Sequence, residues 1–159
     1  MTITKKLSKA FATAAIAGSA LALATPAAAQ MQVFEDYQPS DAVYEMVTVD
    51  IEPGEFETYL ENLKGTWVAA NEVAKSLGHI EDYAIYSNPN GAGDDFDLLL
   101  VIKYSSTADL APSKKRYDEF MAAWGEQRVE SNQRTVREVY NKIRELTGQW
   151  HVREITFND

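Results

Sequence analysis

Apolar and polar positions first alternate regularly in "VYEMVTVDI", residues Val43–Ile51. A period of two puts successive side chains on opposite faces, so this stretch is predicted to be a β-strand. From Glu55 to Leu77 the apolar residues instead recur at gaps of three and four, which is the pattern of an amphipathic helix. Gly78 follows as a stop, because glycine readily adopts the left-handed conformation that ends many helices.

Two further strands are predicted from apolar runs that a turn-rich segment separates. Ile80–Tyr86 is the second strand and Phe96–Tyr104 is the third, and "SNPNGAGDD" joins them. The centre of the third strand, Leu98–Ile102, is apolar on both of its faces. Such a strand is expected to be covered on both sides.

A second long helical region is predicted from about Ser113 to Leu146, followed by a last strand at Trp150–Phe157. One uninterrupted helix of this length is unusual in a small domain. A break is therefore expected, either at Gly125 or in the "ESNQ" stretch at Glu130–Gln133.

The resulting order is β-α-β-β-α-β. It predicts an α+β protein with a ferredoxin-like fold: a four-stranded antiparallel sheet, order 4-1-3-2, with helices on one face. Over Val43 to Phe157 this element order resembles the dimeric α+β barrel superfamily, which includes small monooxygenases, haem-degrading enzymes and EthD-like proteins. The resemblance implies a homodimer whose two sheets pack face to face, and a ligand cleft between sheet and helices. Such a dimer would explain the two-sided apolar third strand.

Residues 1–29 differ from the rest of the chain. Three lysines precede an Ala-rich apolar run, Ala10–Ala24, and small residues then lead to a cleavage site near Ala29. The run is short for a transmembrane helix, so a secretory signal peptide is predicted and a retained anchor is the alternative. The mature chain would be periplasmic or secreted, with an N-terminal arm at 30–42 and a single domain at 43–159.

Charge narrows the set of partners. The 159 residues include 15 basic and 24 acidic ones, for a net charge of −9. Loss of the three signal-peptide lysines would make the mature net charge −12. Repulsion from phosphates argues against nucleic acid and against stable membrane association. If the charge selects a ligand at all, it favours a cationic or neutral one. There is no cysteine, so disulfide and thiolate chemistry are excluded.

The two histidines are predicted to lie far apart. His79 follows Gly78 at the end of the first helix, where a cationic side chain meets the negative end of the helix dipole. Glu81 and Asp82 are its expected neighbours. His151 is predicted to begin the last strand, which puts it at the corner of the sheet diagonal to His79. No metal site is therefore predicted within one subunit.

A ligand cleft is predicted from polar residues on the inner side of the second helical region. If that helix were continuous, Arg128 and Asn132 would share a stripe with Trp124. Buried polar groups need partners, and a small molecule bound in a cleft would supply them. If the helix breaks, these residues face water instead. The predicted ligand-binding residues are Trp67, Asn71, Tyr83, Trp124, Arg128, Asn132 and His79.

No motif in the chain identifies a reaction, and no catalytic residue is predicted. The preferred interpretation is an exported protein that forms a homodimer and binds a small, partly apolar molecule. One alternative is a small cofactor-independent monooxygenase-like or haem-handling enzyme, and another is a structural homodimer without a ligand. No cofactor is predicted from the residues themselves; haem enters only through the resemblance.

Overall fold

The computed structural model describes residues 30–90 and 95–158. Met31–Asp159 form one compact unit. The predicted signal peptide, residues 1–29, lies outside the described residues, as do residues 91–94 of the turn-rich connection. Export and signal-peptide cleavage therefore stay predictions.

The predicted four-stranded sheet is present with the predicted strand order. The strands of the described chain are β1 (Tyr37–Pro39), β2 (Val43–Ile51), β3 (Asp82–Ser87), β4 (Leu98–Tyr104), β5 (Arg144–Val152) and β6 (Ile155–Phe157). The main sheet has the order β3-β4-β2-β5, and every neighbouring pair is antiparallel. With the four main strands numbered along the chain, this order is 4-1-3-2, which confirms the ferredoxin-like fold.

The helices follow the predicted regions, with two π-helical interruptions. They are α1 (Phe56–Leu63), α2 (Ala69–Ser76), α3 (Lys114–Trp124), α4 (Glu126–Thr135) and the single turn α5 (Asn141–Ile143). π-Helical turns at Lys64–Val68 and Val136–Tyr140 join α1 to α2 and α4 to α5, and Thr107–Leu110 is a 3₁₀ turn. In the part of the chain that the structure describes, no helix has the length and hydropathy to span a membrane.

The core lies between one face of the sheet and the helices, because the alternating strand residues meet the apolar stripe of α1. Tyr59 and Leu63 of α1 are 0% and 1% exposed. They pack with Tyr140 and Ile143, which follow α4, and with residues of β2 and β4. The strand members of this cluster are Val49, Ile51, Leu98 and Leu100.

The opposite face of the sheet carries an apolar surface that no helix covers in the described chain. We call it the open face; it comprises Tyr44, Met46, Thr48, Ala84, Tyr86, Leu99, Val101, Gly148, Trp150 and Val152. β4 therefore presents apolar residues on both sides, as its sequence predicts: Leu98 and Leu100 in the core, Leu99 and Val101 on the open face. Trp150 and Tyr86 are 51% and 57% exposed there.

The predicted start of the last strand is wrong. β5 begins at Arg144 rather than Trp150, so Leu146 belongs to the strand and not to the helix. The spacing around Leu146 fits both a helix and a strand. A helix places Leu146 on the same face as Ile143, three residues earlier, and a strand places it on the same face as Arg144, two residues earlier. The C-terminal part of the predicted strand is the separate strand β6. It pairs with β1, which lies inside the segment predicted to be an N-terminal arm.

The predicted helix break occurs at Gly125. This residue has φ 84° and ψ 146°, a combination that essentially only glycine adopts. α3 therefore ends at Trp124, and α4 starts at Glu126 as a separate helix. The alternative position, Glu130–Gln133, lies inside α4.

Candidate functional site

Three of the predicted site residues meet where α2 approaches β3. The rings of Trp67 and Tyr83 contact edge to face, with their centroids 5.4 Å apart. Asn71 is 7% exposed and donates its side-chain amide to the carbonyl oxygen of Trp67 at 2.8 Å. Tyr83 donates its hydroxyl to the Glu72 carboxylate, and this hydrogen bond raises the pKa of Tyr83 to about 12. The amide nitrogen of Asn71 and the hydroxyl of Tyr83 are thus already engaged within the protein.

A second pair of predicted residues lies at the junction of α3 and α4. Trp124 is 5% exposed and stacks on Phe120 at a centroid distance of 5.9 Å. The guanidinium carbon of Arg128 lies 5.0 Å from the centre of the Trp124 ring. Gly125 interrupts the helix, so Arg128 does not continue the buried stripe of Trp124. The Arg128 side chain is exposed instead.

Asn132 lies on the better-covered side of α4. Val129, Asn132 and Thr135 are half-buried, while no residue of α4 is fully buried. Within the described chain the Asn132 side chain makes no hydrogen bond and no ion pair. Since no buried side-chain nitrogen or oxygen of the described residues lacks a partner, the Asn132 amide reaches solvent. It is therefore available to a ligand.

His79 is at the end of α2, as predicted, but its partner is a different carboxylate. Its Nε2 lies 3.2 Å from Oε2 of Glu119 on α3. The expected neighbours are engaged with lysines, Glu81 with Lys103 and Asp82 with Lys75. His79 therefore links α3 to the end of α2.

The prediction of diagonal corners for the two histidines is wrong, because β5 begins earlier than expected. His151 is near the end of β5 and pairs with Glu45, in the same row across the sheet as Tyr83 near the start of β3. The two histidines are thus at the same end of the sheet but beside opposite edge strands, which are about 14 Å apart by strand spacing. Among residues 30–90 and 95–158, no three side chains are arranged to hold a metal ion.

The most unusual polar residue of the structure is Arg144, which the sequence did not single out. It begins β5 opposite Ile51 and is half-buried on the helix side of the sheet. Its Nη1 donates a hydrogen bond of 2.8 Å to the hydroxyl of Tyr59. Its guanidinium carbon lies 4.5 Å from the ring centre of Tyr140 and 5.4 Å from that of Tyr59. A cation therefore sits against two buried aromatic rings.

The two tyrosines beside Arg144 are neutral at ordinary pH. Burial raises the pKa of Tyr59, and the positive charge of Arg144 opposes only part of that effect. Burial also raises the pKa of Tyr140, whose hydroxyl shares a hydrogen bond of 2.5 Å with Thr66. Neither phenol therefore supplies the negative charge that would balance the guanidinium.

Arg144 lies at one end of a row of residues on the helix side of the outer strand β5. By register, Leu146, Gln149 and His151 follow it on the helix side of β5. Leu146 is 54% exposed, although the helices pack on this side of the sheet. We call the helix side of β5 at these four residues the β5 groove.

A hydrogen-bonded carboxylate lies at the other end of the β5 groove. Glu45 of β2 accepts a hydrogen bond of 2.6 Å from Gln149 and one of 3.0 Å from the Tyr104 hydroxyl. Burial and the nearby Glu45 carboxylate raise the pKa of Tyr104. The groove thus has an apolar middle at Leu146, a cation at one end and a carboxylate at the other.

Comparisons with known proteins find only distant similarities to solved structures. No family model and no curated protein matches the chain. A solved structure from Shewanella oneidensis is 13% identical and has a TM-score of 0.47, covering 76% of this chain and 98% of that one. A nipsnap family protein of unknown function from Agrobacterium tumefaciens is 18% identical, with a TM-score of 0.44 and coverages of 77% and 93%. A dimeric protein of unknown function and ferredoxin-like fold from Bacteroides fragilis is 12% identical, with a TM-score of 0.40 and coverages of 76% and 100%. Such similarities carry no functional argument, and the ferredoxin-like fold of this chain rests on its own strand order.

Proposed function

We propose that this protein binds a small, partly apolar molecule in the β5 groove, between helices and sheet. The observation that carries the proposal is the exposure of Leu146, 54%, on the side of the sheet that the helices cover elsewhere. An apolar floor flanked by a few polar groups is the usual composition of a small-molecule site. We propose that the side-chain amide of Asn132 on α4, which makes no hydrogen bond in the described chain, also contacts the ligand.

Chemical-shift mapping tests this proposal. A panel of small metabolites and haem would be titrated into the isotope-labelled protein, with the methyl signals of Leu146 and the side-chain amide of Asn132 as reporters. Binding in the groove is expected to shift both, while the indole N–H of Trp150 on the open face stays unchanged. Shifts confined to the open face, or no shifts from any compound, would contradict it.

A matched pair of variants sharpens the test. Leu146→Trp is expected to fill the groove and to abolish binding, and the exposed position tolerates the larger side chain. Tyr117→Trp on α3, at a residue that is 62% exposed, is the control and should bind normally. Equal binding by both variants would exclude the groove as the site.

We also propose that two copies associate through their open faces. The apolar side chains of Tyr86, Trp150 and Val152 on this face are 57%, 51% and 37% exposed. Contiguous exposed apolar surface on a sheet is typical of an interface, and face-to-face packing would bury it. A second copy fits this face because both sheets would carry the same strand order and the same apolar rows.

A small enzyme is the second candidate function, and Glu45 is the observation that favours it. This carboxylate receives hydrogen bonds from two neutral groups and has no cationic partner among the described residues. His151 lies directly across from it on β5, on the same face. A carboxylate and an imidazole at one end of a ligand groove are suited to moving protons. Turnover of a bound compound that Glu45→Gln abolishes, with binding retained, would establish this role.

Export of the mature chain is proposed from residues 1–29. The lysines, the apolar run and the small residues near Ala29 have the layout of a secretory signal. N-terminal sequencing of protein isolated from its host should begin at Gln30. Recovery of the intact N-terminus would contradict cleavage.

A further inference from the structure

Arg144 carries a positive charge that has no ion-pair partner among residues 30–90 and 95–158. In the described chain no carboxylate oxygen lies within 4.0 Å of its guanidinium. The full sequence has 24 acidic residues, so a counter-charge would have been easy to supply. A partly buried cation without a carboxylate partner is unfavourable unless something else balances its charge.

The free hydrogen-bond donors of Arg144 are directed to solvent. Only Nη1 has a partner in the described part of the chain, the hydroxyl of Tyr59. No buried side-chain nitrogen among the described residues is unsatisfied, so the remaining donors of Arg144 are accessible. Tyr59 and Tyr140 meanwhile hold the guanidinium in one position. An arginine fixed in this way presents a preformed planar donor set, with little side-chain entropy left to lose on binding.

We infer that the ligand of the β5 groove is a small carboxylate with an apolar body, and that Arg144 binds its carboxylate. This inference rests on the proposed function and names the ligand class. A guanidinium binds carboxylates through paired hydrogen bonds. The apolar body would lie along the half-exposed Leu146, next to Arg144 on the same side of β5. At short range the partly buried charge of Arg144 outweighs the distant acidic residues of the protein surface. An anionic ligand is therefore expected, rather than the cationic or neutral one that the net charge favours.

Matched probes that differ only in charge test the inference. Benzoate would be compared with benzamide, and hexanoate with hexanamide, by following the Nε–H signal of Arg144 in the labelled wild-type protein. Each carboxylate is expected to shift this signal and to bind about 10- to 100-fold more tightly than its amide, as charged hydrogen bonds imply. No substitution is needed for this measurement, so it does not depend on the folding of a variant.

Variants then assign the preference to Arg144. Arg144→Gln should remove the preference for the carboxylate, while the exposed Arg137→Gln should keep it. If the wild-type protein binds acid and amide equally well and Arg144→Gln changes neither affinity, the inference is overturned, while the proposed groove is left intact. If neither probe binds, the carboxylate assignment fails as well, and the broader metabolite panel decides on the groove separately.

Discussion

Arg144 and Tyr59 connect the last strand of the sheet to its first helix by a hydrogen bond of 2.8 Å between Nη1 and the tyrosine hydroxyl. The two residues are 85 positions apart in the chain. The Tyr59 ring is 0% exposed, so the side chain that holds the arginine is itself fixed by the core. The position of Arg144 in the β5 groove therefore depends on the packing of Tyr59 in the core.

Removal of the Tyr59 hydroxyl is expected to destabilise the protein. Tyr59→Phe keeps the ring but deletes the acceptor of the Arg144 hydrogen bond, so the free energy of unfolding should fall by about 1–2 kcal/mol. Urea denaturation measures the change. Tyr86→Phe on the open face, at a residue that is 57% exposed, is the control and should alter stability little. Equal stability of both variants would show that the hydrogen bond contributes nothing.

Association through the open face is expected to depend on Trp150. Trp150→Glu introduces a charge into the proposed interface, whose burial is costly, and should convert a dimer to a monomer at micromolar concentration. Sedimentation velocity measures the mass. Tyr117→Glu makes a similar change on α3, outside the open face, and should remain dimeric. A wild-type monomer, or a dimer that Trp150→Glu leaves intact, would contradict the proposed interface.

The ionisation of Tyr83 provides a pH-dependent prediction. The Glu72 hydrogen bond raises the pKa of Tyr83 from 10.0 to about 12. Since the pKa is higher in the folded protein, the stabilising contribution is complete below pH 10 and is lost as the pH rises through 12. Absorbance at alkaline pH should detect a tyrosine that titrates near this value. In Glu72→Gln the Tyr83 pKa should fall toward that of free tyrosine, and an unchanged titration curve would exclude the Glu72 contact as the cause.

Two glycine-to-alanine substitutions are expected to have different effects on stability. Gly125→Ala forces alanine into a conformation that only glycine tolerates, so stability should fall by about 1–3 kcal/mol. Gly65 lies in the first π-helical turn, where an added methyl group meets no atom within 4 Å. Gly65→Ala should therefore leave stability unchanged or raise it by up to about 1 kcal/mol. Thermal unfolding distinguishes the two, and equal effects would contradict the role of Gly125 in the helix break.

The sequence predicts the fold because its strongest patterns are local. The alternation in Val43–Ile51, the helical stripe that ends before Gly78 and the two-sided apolar run in β4 each depend on near neighbours. Together with the short connection between β3 and β4, they leave few topologies for four strands and two helical regions. The observed strand order is the one that these patterns predict.

The site was predicted less well because its contacts are distant in sequence. Arg144 lies inside the region predicted to be helical, whereas it is the first residue of β5 and donates a hydrogen bond to Tyr59. The position of Arg128 depended on whether the helix continued through Gly125, and the break leaves it exposed on Trp124. The local signal that points to the groove is the spacing of Arg144 and Leu146, because residues two positions apart share one face of a strand.

Native mass spectrometry of the protein isolated from its own host tests the central claim most directly, since it reports bound ligand and subunit number together. The proposal predicts a dimer in which each subunit carries one small molecule, released on activation as an anion with an apolar body. A dimer or monomer with the bare mass of the polypeptide, in protein that binds no compound in solution, would contradict it.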